Sequence, residues 1–306
     1  MKYGIASPRN PNEILVSLTE SECANIMHAK RIVMGALNIE EKFDLVMENH
    51  ADLERSLLNV ALRLSLFPST SFQSAPEDRL LVNRRLANLV TTTELYLSQV
   101  PHVISQTFKI ISSGVERFDR FTNEEYDEHS GYRIMEGMRN YVQHRNLPIR
   151  SISHSLGLAE ENSICCAVTV FLDLDEIKED EKVKEKIISE LESVAAVDGR
   201  WVNVMPFERE YVQSLGRIHS KARALYADAL HDADKEISVA VTKMKAVKQN
   251  ENRGLFLVLL DDSKMKKEPE WISMEHVERR LSLEEKNKYQ EHLARRFVSA
   301  IAIKQK

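Results

Sequence analysis

Apolar residues recur at helical spacing through the first third of the chain, with charged residues between them. The clearest run begins after Asn38, and its apolar positions are Phe43, Val46, Leu53, Leu57, Val60 and Leu64. Because this spacing puts the apolar side chains on one face, it predicts a long amphipathic helix that ends before Pro68. The same reasoning predicts a second long helix over 77–99, ended by Pro101, and a shorter helix over 102–112.

Helix starts are predicted where Ser, Thr or Asn precedes an apolar run and Glu follows three residues later. The pairs are Thr19 with Glu22, Asn38 with Glu41, and Ser282 with Glu285. In such a capping box, each side chain accepts a hydrogen bond from the backbone N–H of the other residue. The first pair predicts a helix to about Met34, the second begins the long helix described above, and the third predicts a final helix to about Ile303.

The second half of the chain mixes helical and β patterns. The segment YRIMEGMRNYVQH predicts a helix that ends between His144 and Asn146, because Pro148 disfavours helical backbone at the residue before it. Residues 149–156 and 163–172 are rich in β-branched or apolar residues and predict two strands paired as a hairpin. The remaining predictions are an acidic helix over 179–195, a long helix from about 207 and a buried strand over 254–260.

These elements predict a mainly α protein, in which a helical bundle precedes a C-terminal part that mixes helices with a few short strands. By composition, the chain divides into a helical N-terminal extension (1–37), the helical bundle (38–150) and the mixed region (151–306). The boundary near residue 150 is a change of composition. Residues 151–306 could equally extend the same domain, form a separate α/β subdomain or bind an activating signal.

Composition and charge exclude several classes of protein. The 306 residues include 42 Lys and Arg against 47 Asp and Glu, a net charge of −5, so the chain as a whole does not hold nucleic acid through a positive field. The sequence lacks both common glycine-rich phosphate cradles, so we expect no cofactor. Cys23, Cys165 and Cys166 lack the spacing of a zinc site, and no apolar run has the length of a membrane span. We therefore expect a reduced, cytoplasmic compartment.

The candidate chemistry lies in the hexapeptide RNYVQH, residues 139–144. An Arg and a His separated by four to six residues are expected about twice in such a chain by composition alone, so the spacing carries little weight. Requiring Asn directly after the Arg lowers the expected number to about 0.1, and the chain contains one example. The combination singles out Arg139, Asn140 and His144.

A helical wheel at about 100° per residue turns the polar members of this motif away from the core. The apolar face consists of Ile134, Met135, Met138, Tyr141 and Val142. Asn140 and His144 share one ridge, whereas Arg139 lies about 140° from His144. A small substrate therefore reaches both Arg139 and His144 only if the last helical turn distorts or if a second copy of the chain completes the site.

The motif resembles that of the HEPN superfamily, compact helical bundles that often dimerise and whose ribonucleases carry Arg, a polar residue and, further on, His at the end of a helix. The matching positions are Arg139, Asn140 and His144, and the likeness extends less specifically over 38–147. The resemblance implies metal-independent RNA cleavage at a homodimer interface, through attack of a ribose 2′-hydroxyl that leaves a 2′,3′-cyclic phosphate and a 5′-hydroxyl. It also implies a toxin–antitoxin or antiviral defence system, with an antitoxin or sensor protein that restrains the enzyme.

Each residue type suits one step of that reaction. His144 is the acid–base candidate because an imidazole exchanges protons near neutral pH. Arg139 can meet the negative charge of the transition state with two parallel hydrogen bonds. Asn140 is assigned a positioning hydrogen bond to His144 or to phosphate, and Arg145 a role in solubility or phosphate binding. RNA carries its own nucleophile, so no metal is required, and no metal-ligand set is evident in the sequence.

Local charge agrees with a phosphate site, because residues 131–155 carry four arginines against one glutamate, whereas residues 173–192 carry nine carboxylates against four lysines. The plainer interpretations are a surface role for Arg139 and attraction of His144 to the negative end of the helix dipole. Polar residues on the second long helix could face either the site or solvent: Asn83, Arg84, Arg85 and Asn88. The competing function is a catalytically silent helical module that dimerises or binds a nucleotide or a protein.

Overall fold

A computed structural model describes residues 2–7, 10–67, 73–108, 113–158, 164–196, 198–247, 254–261, 264–265, 268–288 and 292–296. Eight α-helices dominate these residues: α1 (Glu20–Leu66), α2 (Ala75–Thr107), α3 (Gly114–Glu128), α4 (Ser130–His144), α5 (Leu174–Lys178), α6 (Glu185–Val194), α7 (Met205–Val247) and α8 (Met274–Lys286). One 3-10 turn lies at Leu293–Arg295. The prediction of a mainly α protein with a mixed C-terminal part is confirmed. None of the described helices has the length and apolar character needed to cross a membrane.

The described strands form two antiparallel sheets. In chain order they are β1 (Lys2–Ser7), β2 (Asn10–Leu18), β3 (Ile149–Leu158), β4 (Ile164–Asp173), β5 (Trp201–Asn203), β6 (Gly254–Asp261), β7 (Lys264–Met265) and β8 (Glu270–Ser273). The first sheet has the order β2–β1–β6–β7, with β8 also paired to β6, and Ile5 lies opposite both Val16 and Leu257. The second has the order β3–β4–β5, with Ile152 opposite Val170.

The chain forms two compact units, and each is discontinuous in sequence. The first unit comprises 1–44, 98–117 and 222–288, and the second comprises 45–97, 118–221 and 289–306. The core of the first unit includes the stacked rings of Phe108 and Tyr226, whose centroids lie 4.6 Å apart. In the core of the second unit, the Tyr96 hydroxyl lies 3.0 Å from Nδ1 of His219. The division that composition predicts at residues 37 and 150 stays a prediction.

Local signals predicted several elements correctly. The backbone N–H of Thr19 donates to Glu22 Oε2 at 2.8 Å, and the N–H of Glu22 donates to Thr19 Oγ1 at 3.1 Å, so the capping box at the start of α1 is confirmed. The predicted helix before Pro148 is α4, and the predicted hairpin is the β3–β4 pair. These elements were predictable because neighbouring residues supply their caps, stops and pairing partners.

Two predicted breaks in the helices are wrong. Helix α1 continues through Asn38, because buried Leu37 and Ile39 flank it and hold that turn in the core while the Asn side chain remains exposed. The predicted helices over 77–99 and 102–112 are one helix, α2, which contains Pro101. Val100 and Ile104 are buried on either side of the proline, so packing offsets the hydrogen bond that proline removes. Residues 109–112 lie outside the described residues.

Other predictions fail because tertiary pairing decides the structure. The N-terminal extension begins with the β1–β2 hairpin, which β6 completes from the far end of the chain. Helix α3 was not predicted. Of the acidic helix predicted over 179–195, only 185–194 are helical, as α6, and the separate short helix α5 ends before it at Lys178. The final helix starts at Met274, where the Ser273 hydroxyl accepts the Glu275 N–H at 3.0 Å, so the predicted cap Ser282 lies inside α8. Residues 289–291 and 297–303 of that predicted helix lie outside the described residues.

Candidate active site

Helix α4 presents the RNYVQH motif at its C-terminal end. Four of the five residues predicted for its apolar face are at most 6% exposed, namely Ile134, Met135, Met138 and Tyr141, and the fifth, Val142, is half-buried. The helix ends at His144, and the Arg145 N–H closes it by donating to the Tyr141 carbonyl at 2.9 Å. Burial of one face thus determines where the opposite, polar face of α4 lies.

The structure brings three of the predicted site residues to one pocket of about 240 Å³. Arg139, Asn140 and His144 all line it. The remaining lining comes from α3, from α4 itself, from the segment that joins α5 to α6 and from the start of α6, and includes Tyr126, Glu136, Asp180, Lys182 and Lys184. Arg139 and His144 therefore share a pocket in a single copy, although α4 remains helical to His144.

Arg139 is held by two carboxylates. Its Nη1 lies 2.6 Å from Glu94 Oε2 and 2.9 Å from Glu136 Oε2, and its side chain is 17% exposed. Its Nε is buried and makes no hydrogen bond within the described residues. Two carboxylates offset the single positive charge, so a phosphate has to compete with them for this guanidinium.

A buried tyrosine continues this network behind Arg139. The Tyr211 hydroxyl donates to Glu136 Oε1 at 2.6 Å. Burial raises the pKa of Glu136, although Arg139 and this hydrogen bond both act to lower it. Burial also raises the pKa of Tyr211 well above its usual value, so the hydroxyl stays a donor. The chain from Tyr211 through Glu136 fixes the position of Arg139.

Asn140 and His144 make no comparable contacts. Both residues are exposed, and the described part of the chain supplies no hydrogen-bond or ion partner to either side chain. The predicted positioning hydrogen bond from Asn140 to His144 is not formed. Both side chains are therefore open to a ligand that enters the pocket.

Arg145 lies beside this pocket and does not line it. Its Nη2 lies 3.1 Å from Asp180 Oδ1, in a neighbouring groove of about 490 Å³ that also contains Arg150 and Glu176. The hydrogen bond from the Lys182 backbone N–H lowers the pKa of Asp180 most, and Arg145 lowers it further, so Asp180 remains an anion. A role for Arg145 in phosphate binding stays a prediction, and in the structure the Arg145 side chain pairs with Asp180.

Three further pocket residues suit RNA and were not predicted from the sequence. Lys184 Nζ lies 4.8 Å from the centroid of the Tyr126 ring and donates to its hydroxyl at 3.1 Å, and Lys182 lines the same pocket. Lysines contact phosphate, and aromatic rings stack on unpaired bases. Both lysines lie in the acidic stretch for which the sequence predicts one solvated helix. They reach the pocket because the chain is not helical between the end of α5 and the start of α6. No short sequence motif predicts that these two lysines line the pocket.

Glu94, Glu136 and the polar residues of α2 show how little the sequence says about partners. Glu136 precedes Arg139 by one helical turn, which is a local signal for an ion pair, but nothing near Glu94 in the sequence points to Arg139. Asn83 does not face the site, because its side chain donates to the Ile149 carbonyl at 2.9 Å and accepts the Ile149 N–H at 3.0 Å. Arg85 pairs with Asp52 at 2.9 Å.

The pocket offers an accessible imidazole, an amide, a restrained guanidinium and two lysines. Such a set can transfer a proton and stabilise phosphate charge without a metal. The cluster of His50, Glu54 and Glu208 could hold a metal ion, but none of the three lines this pocket. Comparison with known proteins finds no matching family model, no matching curated protein and no matching solved structure.

Proposed function

We propose that the chain is a metal-independent endoribonuclease of HEPN type. The observation that supports this most directly is that Arg139, Asn140 and His144 line one pocket together with Lys182 and Lys184. The pocket thus gathers a proton-transfer group and cationic phosphate ligands that are distant in sequence. The proposal includes a cytoplasmic compartment, which rests on the cysteines and the hydropathy of the sequence. It also includes the setting of a toxin or antiviral defence effector, which rests on the resemblance alone.

In the proposed reaction, a ribose 2′-hydroxyl attacks the adjacent phosphorus and the bond to the 5′-oxygen breaks. His144 transfers protons in this step, because its ring is open to the pocket and an imidazole works in both directions near neutral pH. Arg139 stabilises the charge on the phosphoryl oxygens, and Asn140 positions the phosphate. Lys182 and Lys184 hold the flanking backbone.

The restraint on Arg139 makes the described arrangement a resting state in this proposal. Substrate phosphate must compete with Glu94 and Glu136 for the guanidinium, so activity depends on weakening one of these pairs. The proposal includes homodimerisation, which would place two such pockets together, and an antitoxin or sensor protein that keeps the enzyme at rest.

Cleavage of a mixed RNA pool in EDTA tests the function. We expect fragments with 2′,3′-cyclic phosphate and 5′-hydroxyl ends, detected because the 5′ ends accept a phosphate from a polynucleotide kinase without prior dephosphorylation. We also expect induced expression to stop growth. An intact RNA pool together with unaffected growth would contradict the proposal, as would cleavage that requires an added divalent ion.

The pair between Glu94 and Arg139 gives a second prediction, that Glu94→Gln raises the rate of RNA cleavage. Glu94 is 40% exposed, so the substitution should leave the fold intact. Exposed ion pairs contribute about 0.2–1 kcal/mol, so freeing Arg139 from one of them should raise the rate by a factor of about 1.4 to 5. Initial rates on one RNA substrate measure this, with Glu41→Gln, an exposed glutamate on a different helix, α1, as the matched control. A slower Glu94→Gln enzyme would show that Glu94 supports RNA cleavage and does not restrain Arg139.

The same two ion pairs favour a second candidate function. An arginine neutralised by Glu94 and Glu136 suits a structural role, and the pocket would then bind RNA or a nucleotide without cleaving it. Titration of the protein into labelled RNA in EDTA separates the two functions. Binding that Lys182→Ala and Lys184→Ala weaken, with no cut RNA even for Glu94→Gln, would support the silent module.

A further inference from the structure

A second cluster of functional groups lies apart from the proposed RNA pocket, between α1 and α7. His50 and Glu54 are one turn apart on α1, and Glu208 lies in the first turn of α7. His50 Nδ1 is 2.7 Å from Glu208 Oε1, and one ligand atom from each of the three residues lies within 4.8 Å of the others. Residues 158 positions apart in the chain thus meet at one point.

The burial of this cluster leaves one oxygen without a donor. The Glu208 side chain is fully buried, and that of His50 is 8% exposed. Glu208 Oε1 contacts His50, whereas Glu208 Oε2 makes no hydrogen bond within the described residues. A buried carboxylate oxygen with no partner is costly, because it has lost water and gained nothing in return. A cation coordinated by this oxygen would remove that cost.

We propose that His50, Glu54 and Glu208 bind one divalent first-row transition-metal ion. One imidazole nitrogen with two carboxylates suits Mn²⁺, Fe²⁺, Co²⁺ or Zn²⁺, whereas Mg²⁺ and Ca²⁺ prefer oxygen ligands alone. Ligation requires neutral His50, so the ion takes the place of a proton, which leaves to solvent. The ion then replaces the present contact between His50 and Glu208.

Arg209 supplies the outer support that such a site needs. Its Nε donates to Glu54 Oε1 at 2.6 Å and its Nη2 donates to Glu54 Oε2 at 2.9 Å. A carboxylate can accept these two hydrogen bonds and still offer a lone pair to a metal, and such partners orient metal ligands. Arg209 also offsets the charge of one carboxylate. The charged groups of the cluster are then Glu54, Glu208, Arg209 and the ion.

The proposed ion would join two helices of the second unit. Its ligands come from the middle of α1 and the start of α7, and two of the three are almost wholly buried. Binding to the folded chain alone would stabilise that chain in proportion to the logarithm of the metal concentration. The ion is therefore structural, and it takes no part in the proposed RNA cleavage.

The test is metal retention by the full chain. Protein is dialysed against a chelator, exposed to Zn²⁺ or Co²⁺, desalted and analysed by mass spectrometry for metal content and by thermal unfolding. We expect about one ion per chain, a higher Tm with metal than without, and visible absorption from bound Co²⁺. Failure of the wild-type protein to retain either ion would overturn the proposal.

Variants assign the ion to these ligands. Glu208→Gln and His50→Ala should abolish retention, and Glu54→Gln tests the same site at a side chain that is 24% exposed, where folding is safer. His28→Ala, at an exposed histidine on α1, should retain metal as the wild type does. If Glu54→Gln and every variant of His50 or Glu208 that folds retain the metal fully, the ion binds at another site and this assignment is wrong. Chelation should lower Tm and leave RNA cleavage intact, so this proposal and the ribonuclease proposal can fail separately.

Discussion

Replacement of His144 by alanine is expected to lower the rate of RNA cleavage by about 10²- to 10⁴-fold, the range that one general acid–base group contributes. His144 is exposed, lines the pocket and has no partner in the described part of the chain. The substitution therefore removes the proton-transfer group and nothing that supports the fold, so Tm should stay unchanged. Arg139→Ala should also abolish cleavage, but it removes the partner of Glu136 and Glu94 and so disturbs packing as well.

Single-turnover cleavage of a labelled RNA, measured beside thermal unfolding, checks the role of His144. Gln143→Ala is the matched control, because Gln143 is the exposed neighbour of His144 and does not line the pocket. This control should cleave at the wild-type rate. If His144→Ala cleaves as fast as Gln143→Ala does, His144 is not the acid–base group and the assignment of the site fails.

Replacement of Arg280 by alanine should lower the free energy of unfolding by about 3–5 kcal/mol, the cost of breaking a buried ion pair from one side. The Arg280 side chain is 2% exposed and pairs with Asp234 and with Glu284, each at 2.5 Å. Its loss strands these two carboxylates and leaves a cavity where one of the largest buried side chains stood. Burial already raises the pKa of Asp234, and Arg280 acts in the opposite direction.

Urea unfolding followed by circular dichroism measures the effect of this substitution. The adjacent Arg279 is exposed, so Arg279→Ala is the matched control and should change stability by no more than about 0.5 kcal/mol. Equal stabilities for the two variants would contradict the importance of the buried pair. Because the final helix was predicted to begin at Ser282, a buried arginine before that residue could not be predicted from the sequence.

The parts of the site that could be predicted are those that one helix contains. Apolar spacing placed Met138 and Tyr141 in the core, and Pro148 predicted the end of α4 close to His144. These features depend on neighbours within a turn or two, so the order of residues specifies them. The sequence also isolated Arg139, Asn140 and His144, which the fold brings to one pocket.

The environment of those residues could not be predicted, because it depends on contacts between distant segments. Glu94 reaches Arg139 from α2, and Lys182 and Lys184 reach the pocket from a break that the acidic pattern concealed. The helical wheel separated Arg139 from His144 because it gives every side chain one fixed direction, perpendicular to the helix axis. Long side chains on a real helix bend along the surface, so both contact one pocket near its end.

The sequence by itself determined the helical class, the capping box of Thr19, the face of α4 and the identity of its polar motif, since each depends on local spacing and backbone preference. Tertiary structure alone decided that Asn38 and Pro101 lie inside helices, because burial of the flanking residues outweighs a local signal for a helix start or stop. It also decided that Arg139 is paired, that His144 has no partner among the described residues, and that His50 contacts Glu208. Those pairings depend on how the helices pack, and the packing is determined jointly by side chains that are far apart in the sequence.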